Sequence, residues 1–132
     1  MVIYIDTSAM LAVLYEEDTN HTQAIQAWLT LAQEGTELVC NNYVFWEAFA
    51  LLQRRYGLEK ARALQECIAP LLEIDWLGAE QHAEAINSVL TANRRNLSLV
   101  DCASFETMRR LRIETAFTFD EHFKEQGFTV VP

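Results

Sequence analysis

Residues 2–11 read Val-Ile-Tyr-Ile-Asp-Thr-Ser-Ala-Met-Leu, and the expected fold follows from this stretch more than from any other. Val2–Ile5 is a short β-branched and aromatic run with no charged residue, which predicts a fully buried strand. Asp6, Thr7 and Ser8 then offer the side chains that cap a helix, and an apolar segment follows them. A buried strand that leads directly into a helix is typical of an α/β unit.

The rest of the chain alternates between predicted strands and predicted helices. Further strands are predicted at residues 37–40, 71–74, 116–119 and 128–131. Further helices are predicted at residues 22–33, 43–55, 59–68, 79–90, 98–111 and 121–126. Short strands that are apolar on both faces indicate a mostly parallel sheet covered by helices on both sides. We therefore expect residues 1–132 to form a single three-layer α/β domain with about five strands.

The composition is acidic. Ten Lys and Arg stand against nineteen Asp and Glu, the formal net charge is −9, and no Lys or Arg precedes Arg54. Nucleic-acid binding by a basic surface depends on cations that neutralise phosphates, so the composition excludes that mode of binding. It leaves open an acidic pocket that holds a metal ion.

The cysteines and the apolar runs indicate a cytoplasmic protein without a membrane partner. Cys40, Cys67 and Cys102 are far apart and form no Cys-x-x-Cys pair, which predicts a reducing compartment. Asp6 interrupts the apolar amino terminus, so no signal peptide is expected. No run approaches the ~20 apolar residues that span a bilayer.

Acids that directly follow strands are the candidate site residues, because ligands of parallel α/β sheets bind beyond the carboxyl ends of the strands. Asp6 ends the first strand, Asp120 follows the fourth, and Asp101 lies in the first turn of the helix that starts at Ser98. Each has a structural alternative. Asp6 and Asp120 can be helix N-caps, and Asp101 can complete a capping box with Ser98.

Glu47 is the single charged residue in the segment 43–52. A helix that is apolar nearly all round is expected to be buried, and a buried lone carboxylate is costly unless it is paired or binds a metal. The next basic residues, Arg54 and Arg55, lie about two helical turns further on, which excludes a local ion pair. We therefore predict a metal-binding or catalytic role for Glu47.

The four acids Asp6, Glu47, Asp101 and Asp120 are hard oxygen donors, which favour Mg²⁺ or Mn²⁺ over zinc. Such an ion lowers the pKa of a bound water and holds a phosphate oxygen, which is the chemistry of phosphodiester hydrolysis. Without the ion, converging carboxylates repel one another and some of them hold protons. The three histidines are scattered, lack metal-ligand spacing and are assigned no part in the site.

The first stretch, the helix around Glu47 and two later segments resemble, in the same order, the motifs of the PIN domain, a metal-dependent ribonuclease fold. The later segments are Leu-Ser-Leu-Val-Asp at 97–101 and Thr-Phe-Asp-Glu-His-Phe at 118–123. The resemblance covers residues 1–132, and in length the chain is most similar to the VapC-like toxins of toxin–antitoxin pairs. It implies a Rossmann-like, three-layer fold.

The resemblance implies a role for each of the four acids. Asp6, Glu47, Asp101 and Asp120 match the quartet that binds Mg²⁺ or Mn²⁺ and activates water to cleave RNA. Asp6 and Asp101 are then the most direct ligands, while Glu47 and Asp120 bind directly or through water. The implied partners are an RNA substrate, a small antitoxin and a second copy in a homodimer.

Hydroxyl and amide side chains near the acids are expected to support them. Thr7 or Ser8 is predicted to donate to a ligand carboxylate or to a phosphate, and Thr118 to orient the fourth acid. Ordinary helix capping is the alternative for these hydroxyls. Asn41 and Asn42 follow the second strand where the family usually has Thr or Ser, so a polar contact there is expected to differ.

Arg94 and Arg95 precede the segment that contains Asp101, which makes them candidate RNA contacts, although a solvated surface is the usual place for such residues. Two other functions remain open. One is a catalytically silent scaffold with this fold that binds a partner. The other is a metal-dependent phosphatase. A phosphatase of the haloacid-dehalogenase type is disfavoured, because it needs a second Asp at position 8, where this chain has Ser8.

Overall fold

A computed structural model describes residues 1–132, with strands and helices in alternating order. The strands are β1 (Val2–Ile5), β2 (Glu37–Asn41), β3 (Leu72–Asp75), β4 (Thr115–Phe117) and β5 (Thr129–Val131). The helices are α1 (Thr7–Leu14), α2 (His21–Gln33), α3 (Asn42–Tyr56), α4 (Leu58–Ala63), α5 (Ala79–Ala92), α6 (Leu99–Leu111) and α7 (Glu121–Glu125). A π-helical turn and a 3-10 turn join α4 to β3.

All five strands are parallel and lie in the order β3-β2-β1-β4-β5. The first strand is the middle one, and Tyr4 lies between Val39 of β2 and Ala116 of β4. The predicted three-layer α/β fold with a parallel five-stranded sheet is confirmed. Because β2 and β4 both pair with β1, the segments that follow these three strands emerge side by side at one edge of the sheet.

The β1 strand is buried from Ile3 to Ile5 because its side chains are apolar on both faces of the sheet, while Val2, at the start of the predicted fully buried strand, is 39% exposed. Ile3, Tyr4 and Ile5 are at most 2% exposed, and they belong to a core cluster of 27 buried residues. Burial of side chains of this size stabilises the fold by about 1.5–3 kcal/mol each. The one polar atom among them, the Tyr4 hydroxyl, donates to Ser104 Oγ at 2.9 Å.

The predicted element boundaries differ from the observed ones at β4 and at α4. The predicted strand 116–119 ends at Phe117, because the Thr118 side chain and the Asp120 amide make contacts outside the sheet. The predicted helix 59–68 is α-helical only to Ala63 and continues as a π-helical turn. No helix has the length and apolar character that crossing a membrane requires.

The two asparagines after β2 define the start of α3. Asn41 is the N-cap, its Oδ1 accepts from Val44 N at 2.8 Å, and its amide donates to Thr107 Oγ1 at 3.1 Å. Asn42 Oδ1 accepts from Leu77 N at 2.7 Å. An amide at position 41 therefore caps the helix and also ties it to α6, which a Thr or Ser hydroxyl is too short to do in the same way.

Candidate active site

The four predicted acids lie at the edge of the sheet where β1, β2 and β4 end. Asp6 follows β1, Glu47 is on α3 after β2, Asp101 is in the first turn of α6, and Asp120 follows β4. Their charges act on one another: Asp101 raises the pKa values of Asp6 and Glu47, and Asp120 raises those of Glu47 and Asp101. The fold therefore brings the four carboxylates into electrostatic range of one another as one acidic cluster, although the group whose ligand atoms lie within 4.8 Å of one another includes Asp101 and Asp120 but not Asp6 or Glu47.

Asp6 is the most buried of the four, with 4% of the residue exposed. Its Oδ2 accepts hydrogen bonds from Ser8 Oγ at 3.0 Å and from Thr118 Oγ1 at 3.1 Å. Burial raises the pKa of Asp6 to about 6, although hydrogen bonds from Ser8, Thr7 and Thr118 oppose that rise. The residue occupies the N-cap position of α1 but its side chain makes no capping hydrogen bond, so the capping alternative does not account for it.

Thr118 links the two ends of the cluster. Its hydroxyl donates to Asp6 Oδ2 and accepts from the backbone amide of Asp120 at 3.0 Å. The Ser8 hydroxyl lies 3.2 Å from Thr118 Oγ1 and accepts from the amide of Phe119 at 3.0 Å. These contacts hold the β4–α7 segment against the start of α1 and orient the Asp6 carboxylate.

Asp101 and Asp120 make the capping contacts that the sequence allowed, and they lie in the cluster as well. Asp101 Oδ2 accepts from Ser98 N at 3.1 Å, and Ser98 Oγ accepts from Asp101 N at 3.0 Å. Asp120 Oδ1 accepts from His122 N at 2.9 Å. Capping occupies one oxygen of each carboxylate and leaves the other without a hydrogen bond to the protein. Burial, and then the charge of Asp120, raises the pKa of Asp101.

Glu47 is half-buried, and the expectation that its helix is buried nearly all round is wrong. Trp46 is 72% exposed, and the neighbouring aromatic side chains on α3 are only partly covered. Burial raises the pKa of Glu47, while the nearby Thr7 hydroxyl opposes that rise. That hydroxyl also lies 3.5 Å from the Val44 carbonyl oxygen. Glu47 forms no ion pair with Arg54 or Arg55, as the sequence predicts. The charge of Arg55 lowers the pKa of Glu47 without direct contact.

The exposed apolar face of α3 lines an open aromatic groove of about 820 Å³ beside the acidic cluster. Its largest side chains are Tyr43, Phe45, Trp46, Phe49 and Trp76. Trp76 is 75% exposed, and none of the lining residues is Asp, Glu, Lys or Arg. The apolar sequence of α3 thus reflects an uncovered surface as well as a core face.

His122 lies in the cluster, which contradicts the expectation that no histidine takes part. Its Nδ1 is 3.0 Å from Asp120 Oδ1 and 4.0 Å from Asp101 Oδ2. The Nδ1 atom is buried and forms no aligned hydrogen bond, so its short distance to Asp120 is a close approach and not a hydrogen bond. The signal in the sequence was the Asp-x-His spacing at a helix start, since side chains in a first turn lean back toward the N-terminus.

The two candidate RNA-binding arginines differ in their surroundings. Arg94 forms an exposed ion pair with Glu125 of α7. Arg95 is exposed and has no acidic side chain within 4.0 Å. Asp75, another acid at a strand end, pairs with Arg110 and takes no part in the acidic cluster.

The donor set of the cluster fits a divalent cation. Ligand atoms of Asp101, Asp120 and His122 lie within 4.8 Å of one another. Burial and neighbouring acids raise the pKa values of Asp6 and Asp101, so a positive charge among these carboxylates is favourable, and the buried His122 Nδ1 offers a further donor without an aligned hydrogen bond. The oxygen donors suit Mg²⁺ or Mn²⁺.

The fold and the acidic edge define a PIN-domain protein. Residues 3–128 match the family model described as "PIN domain", and the chain belongs to this family. The resemblance noted in the sequence is thereby confirmed.

Among its relatives, the chain is similar to the protein named "23S rRNA-specific endonuclease VapC20" of Mycobacterium tuberculosis. The two are 29% identical over 131 residues, which is 98% of each chain. The crystal structure of that VapC20, described as a "Sarcin-Ricin loop cleaving toxin", gives a TM-score of 0.87 over 98% of this chain and 99% of the other.

Two more distant structures share the fold alone. One is VapBC2 from Rickettsia felis bound to a DNA fragment, with a TM-score of 0.72 and 13% identity over 98% of this chain and 97% of the other. The second is FitAcB from Neisseria gonorrhoeae, with a TM-score of 0.69 and 17% identity over 100% of this chain and 97% of the other.

Proposed function

We propose that this chain is an Mg²⁺- or Mn²⁺-dependent endoribonuclease in which Asp6, Glu47, Asp101 and Asp120 form the metal-binding and catalytic site. The observation that carries the proposal is the position of these four carboxylates at the end of the parallel strands, where burial, and then the charges of neighbouring acids, raises the pKa values of Asp6, Glu47 and Asp101. The likeness to VapC20 over nearly the whole chain supports RNA as the substrate.

In this proposal the chain contributes orientation and proton transfer. A bound divalent ion supplies Lewis acidity and an acidified water. The Ser8 and Thr118 hydroxyls hold Asp6 in one orientation, and the capping contacts do the same for Asp101 and Asp120. Glu47 is partly open to solvent and its pKa is raised, so its carboxylate is suited to take the proton from the attacking water.

We propose an RNA loop as the substrate. The relative VapC20 is named as a 23S rRNA-specific endonuclease, and its structure is described as that of a Sarcin-Ricin loop cleaving toxin. The net charge of −9 means that the protein surface repels RNA in general, so binding depends on the ion and on local cations. Arg95 is the better candidate for a phosphate contact, because Arg94 is already paired with Glu125.

We also propose that the chain is the toxin of a toxin–antitoxin pair. The description of VapC20 as a toxin supports this role, and so does the chemistry of the site. A small protein that blocks an unshielded cluster of carboxylates needs a positively charged side chain at that position, since charge complementarity favours the encounter. We therefore expect an antitoxin that inserts Arg or Lys into the acidic cluster.

We propose that two copies of the chain form a homodimer through the aromatic groove. Exposed apolar patches of this kind mark protein–protein interfaces, which are rich in Trp, Tyr and Phe and poor in charge. Each copy carries a net charge of −9, so contact through an uncharged surface buries no like charges. RNA is the less suitable occupant, because the groove offers no cation to a phosphate.

Substitution Trp46→Lys is expected to convert a dimer into a monomer, because a charge at the centre of an apolar interface loses its solvation. Size-exclusion chromatography with light scattering measures the mass, with the 15.2 kDa monomer as the reference. The matched control is Leu29→Lys, at an exposed leucine outside the groove. A wild-type protein that elutes as a monomer, or a Trp46→Lys variant that stays dimeric, would contradict the proposed interface.

The proposed activity is tested with the purified chain on two substrates, extracted total RNA and intact ribosomes. We expect cleavage at a small number of sites with Mg²⁺ or Mn²⁺, loss of cleavage with EDTA, and recovery when the ion is added back. Primer extension maps the cut ends. Cleavage that persists in EDTA excludes the metal mechanism, the absence of any cleavage favours a scaffold, and release of phosphate from a phosphomonoester favours a phosphatase.

A further inference from the structure

The buried Nδ1 atom of His122 is the polar group that the four-carboxylate site leaves unexplained. It lies at the acidic cluster, has no solvent exposure and has no aligned hydrogen-bond partner. An unpaired buried nitrogen costs about 1–3 kcal/mol, so this atom, which approaches Asp120 without an aligned hydrogen bond, gains from a better-placed partner such as a metal ion.

The distances around this atom match those between ligands of one metal ion. Adjacent ligands of an octahedral ion with bonds of about 2.1 Å lie about 3.0 Å apart, and opposite ligands lie about 4.2 Å apart. His122 Nδ1 is 3.0 Å from Asp120 Oδ1 and 4.0 Å from Asp101 Oδ2. Both distances fall within this range, and the ligand atoms of the three residues all lie within 4.8 Å of one another, which is close enough for them to share one ion after a small adjustment.

The other ring nitrogen has a neighbour that can select the required tautomer. His122 Nε2 lies 3.3 Å from the Asn96 side-chain amide. A half-turn of this amide exchanges its NH₂ group for its oxygen, which then accepts from Nε2–H and leaves the Nδ1 lone pair free for a metal. A histidine ligand is held by its second nitrogen in this way in most metal sites.

We propose that His122 binds the ion through Nδ1, beside Asp101 and Asp120, so that the site prefers Mn²⁺ to Mg²⁺. The proposal rests on the metal dependence proposed above and adds a nitrogen to its oxygen ligands. Mg²⁺ is a hard cation that retains oxygen ligands and water, whereas transition-metal ions accept imidazole readily. This site is then expected to bind Mn²⁺ most tightly, whereas a site made only of carboxylates has no such preference for Mn²⁺ from a nitrogen ligand.

Pulsed electron paramagnetic resonance of Mn²⁺ bound to the purified chain tests the ligand directly. We expect a ¹⁴N coupling from a bound imidazole, which His122→Ala abolishes. In calorimetric titrations we expect His122→Ala to weaken Mn²⁺ binding by at least about tenfold and Mg²⁺ binding by less than about threefold. The matched control His82→Ala, on α5 outside the cluster, retains both the coupling and the affinities.

Each outcome decides between the proposals. Bound Mn²⁺ without a ¹⁴N coupling, or equal loss of Mn²⁺ and Mg²⁺ affinity in His122→Ala, overturns the role of His122 and leaves the carboxylate site intact. Tighter metal binding in His122→Ala indicates that the histidine only pairs with the carboxylates, and also overturns it. If neither Mn²⁺ nor Mg²⁺ binds the wild-type chain, the metal-dependent function itself is overturned. If His122→Ala does not fold, His122→Gln provides the same comparison.

Discussion

Substitution Asp101→Asn is expected to reduce RNA cleavage by about 10³-fold or more. The change removes one negative charge from the acidic cluster, and the loss of several kcal/mol of metal-dependent stabilisation corresponds to a factor of this size. The fold is expected to survive, because the Asn oxygen still accepts from the Ser98 amide in the capping box. Single-turnover cleavage of a mapped RNA substrate over a range of Mn²⁺ and Mg²⁺ concentrations measures the effect.

Asp75→Asn is the matched control for this experiment. Asp75 also lies at the end of a strand, and it pairs with Arg110 outside the acidic cluster. The substitution therefore removes the same charge from the protein without removing a proposed ligand, and cleavage is expected to stay within about twofold of wild type, as for an exposed ion pair. Full cleavage by Asp101→Asn, or an equal loss in both variants, would rule out the assignment of Asp101.

Asp6→Asn is expected to stabilise the metal-free protein by about 3 kcal/mol at pH 7.5 and to have no such effect at pH 4. Burial raises the pKa of Asp6 from 3.8 to about 6, so the folded state holds its proton more tightly than the unfolded state. The stability that this proton contributes is fully present below pH 4 and is lost as the pH rises through about 6. Asn removes the part of the pH dependence that Asp6 contributes, since it carries no charge at any pH.

Urea denaturation in EDTA between pH 4 and pH 8 measures both curves. The Ser8 and Thr118 hydroxyls can turn to accept from an Asn amide, so the substitution leaves their hydrogen bonds possible. Burial raises the pKa values of Glu47 and Asp101 as well, which gives the wild-type curve further slope in the same direction. An Asp6→Asn curve that runs parallel to that of wild type would contradict the prediction.

The same denaturation experiment with Mn²⁺ compares how the carboxylates affect the free energy of unfolding with and without a bound ion. An ion that binds only the folded state at 100 times its Kd stabilises that state by about 2.7 kcal/mol. We expect this gain for wild type at pH 7.5, a smaller gain at pH 5, where protons compete for the carboxylates, and a much reduced gain for Asp6→Asn. The acidic cluster thus costs stability without a metal and regains it with one.

The fold class and the acids of the cluster were accessible from the sequence because each depends on a local pattern. An apolar run such as Val2–Ile5 predicts a buried strand without knowledge of its neighbours, and the strand ends of a parallel sheet necessarily share one edge. Asp6 and Asp120 could therefore be placed near each other across more than a hundred residues. The contacts that Ser8 and Thr118 make with Asp6 were partly foreseen for the same reason.

The errors arose where packing between distant segments decides the outcome. An apolar pattern on α3 predicts core or an interface between copies, but whether the face is covered depends on which elements reach it, and those that do leave Trp46 72% exposed. The spacing of the histidines along the chain gives no sign of His122 in the cluster, because its neighbours Asp101 and Asn96 come from a separate helix and loop.

Periodicity and strand-end acids were thus enough to predict the parallel α/β fold and the carboxylates of the candidate site. Three-dimensional packing decided which side chains stay exposed. It also decided which further atom lies beside the carboxylates. The physical reason is one of range. Strand and helix patterns are set by neighbours along the chain, whereas the exposure of Trp46 and the position of His122 Nδ1 are set by side chains far away in sequence.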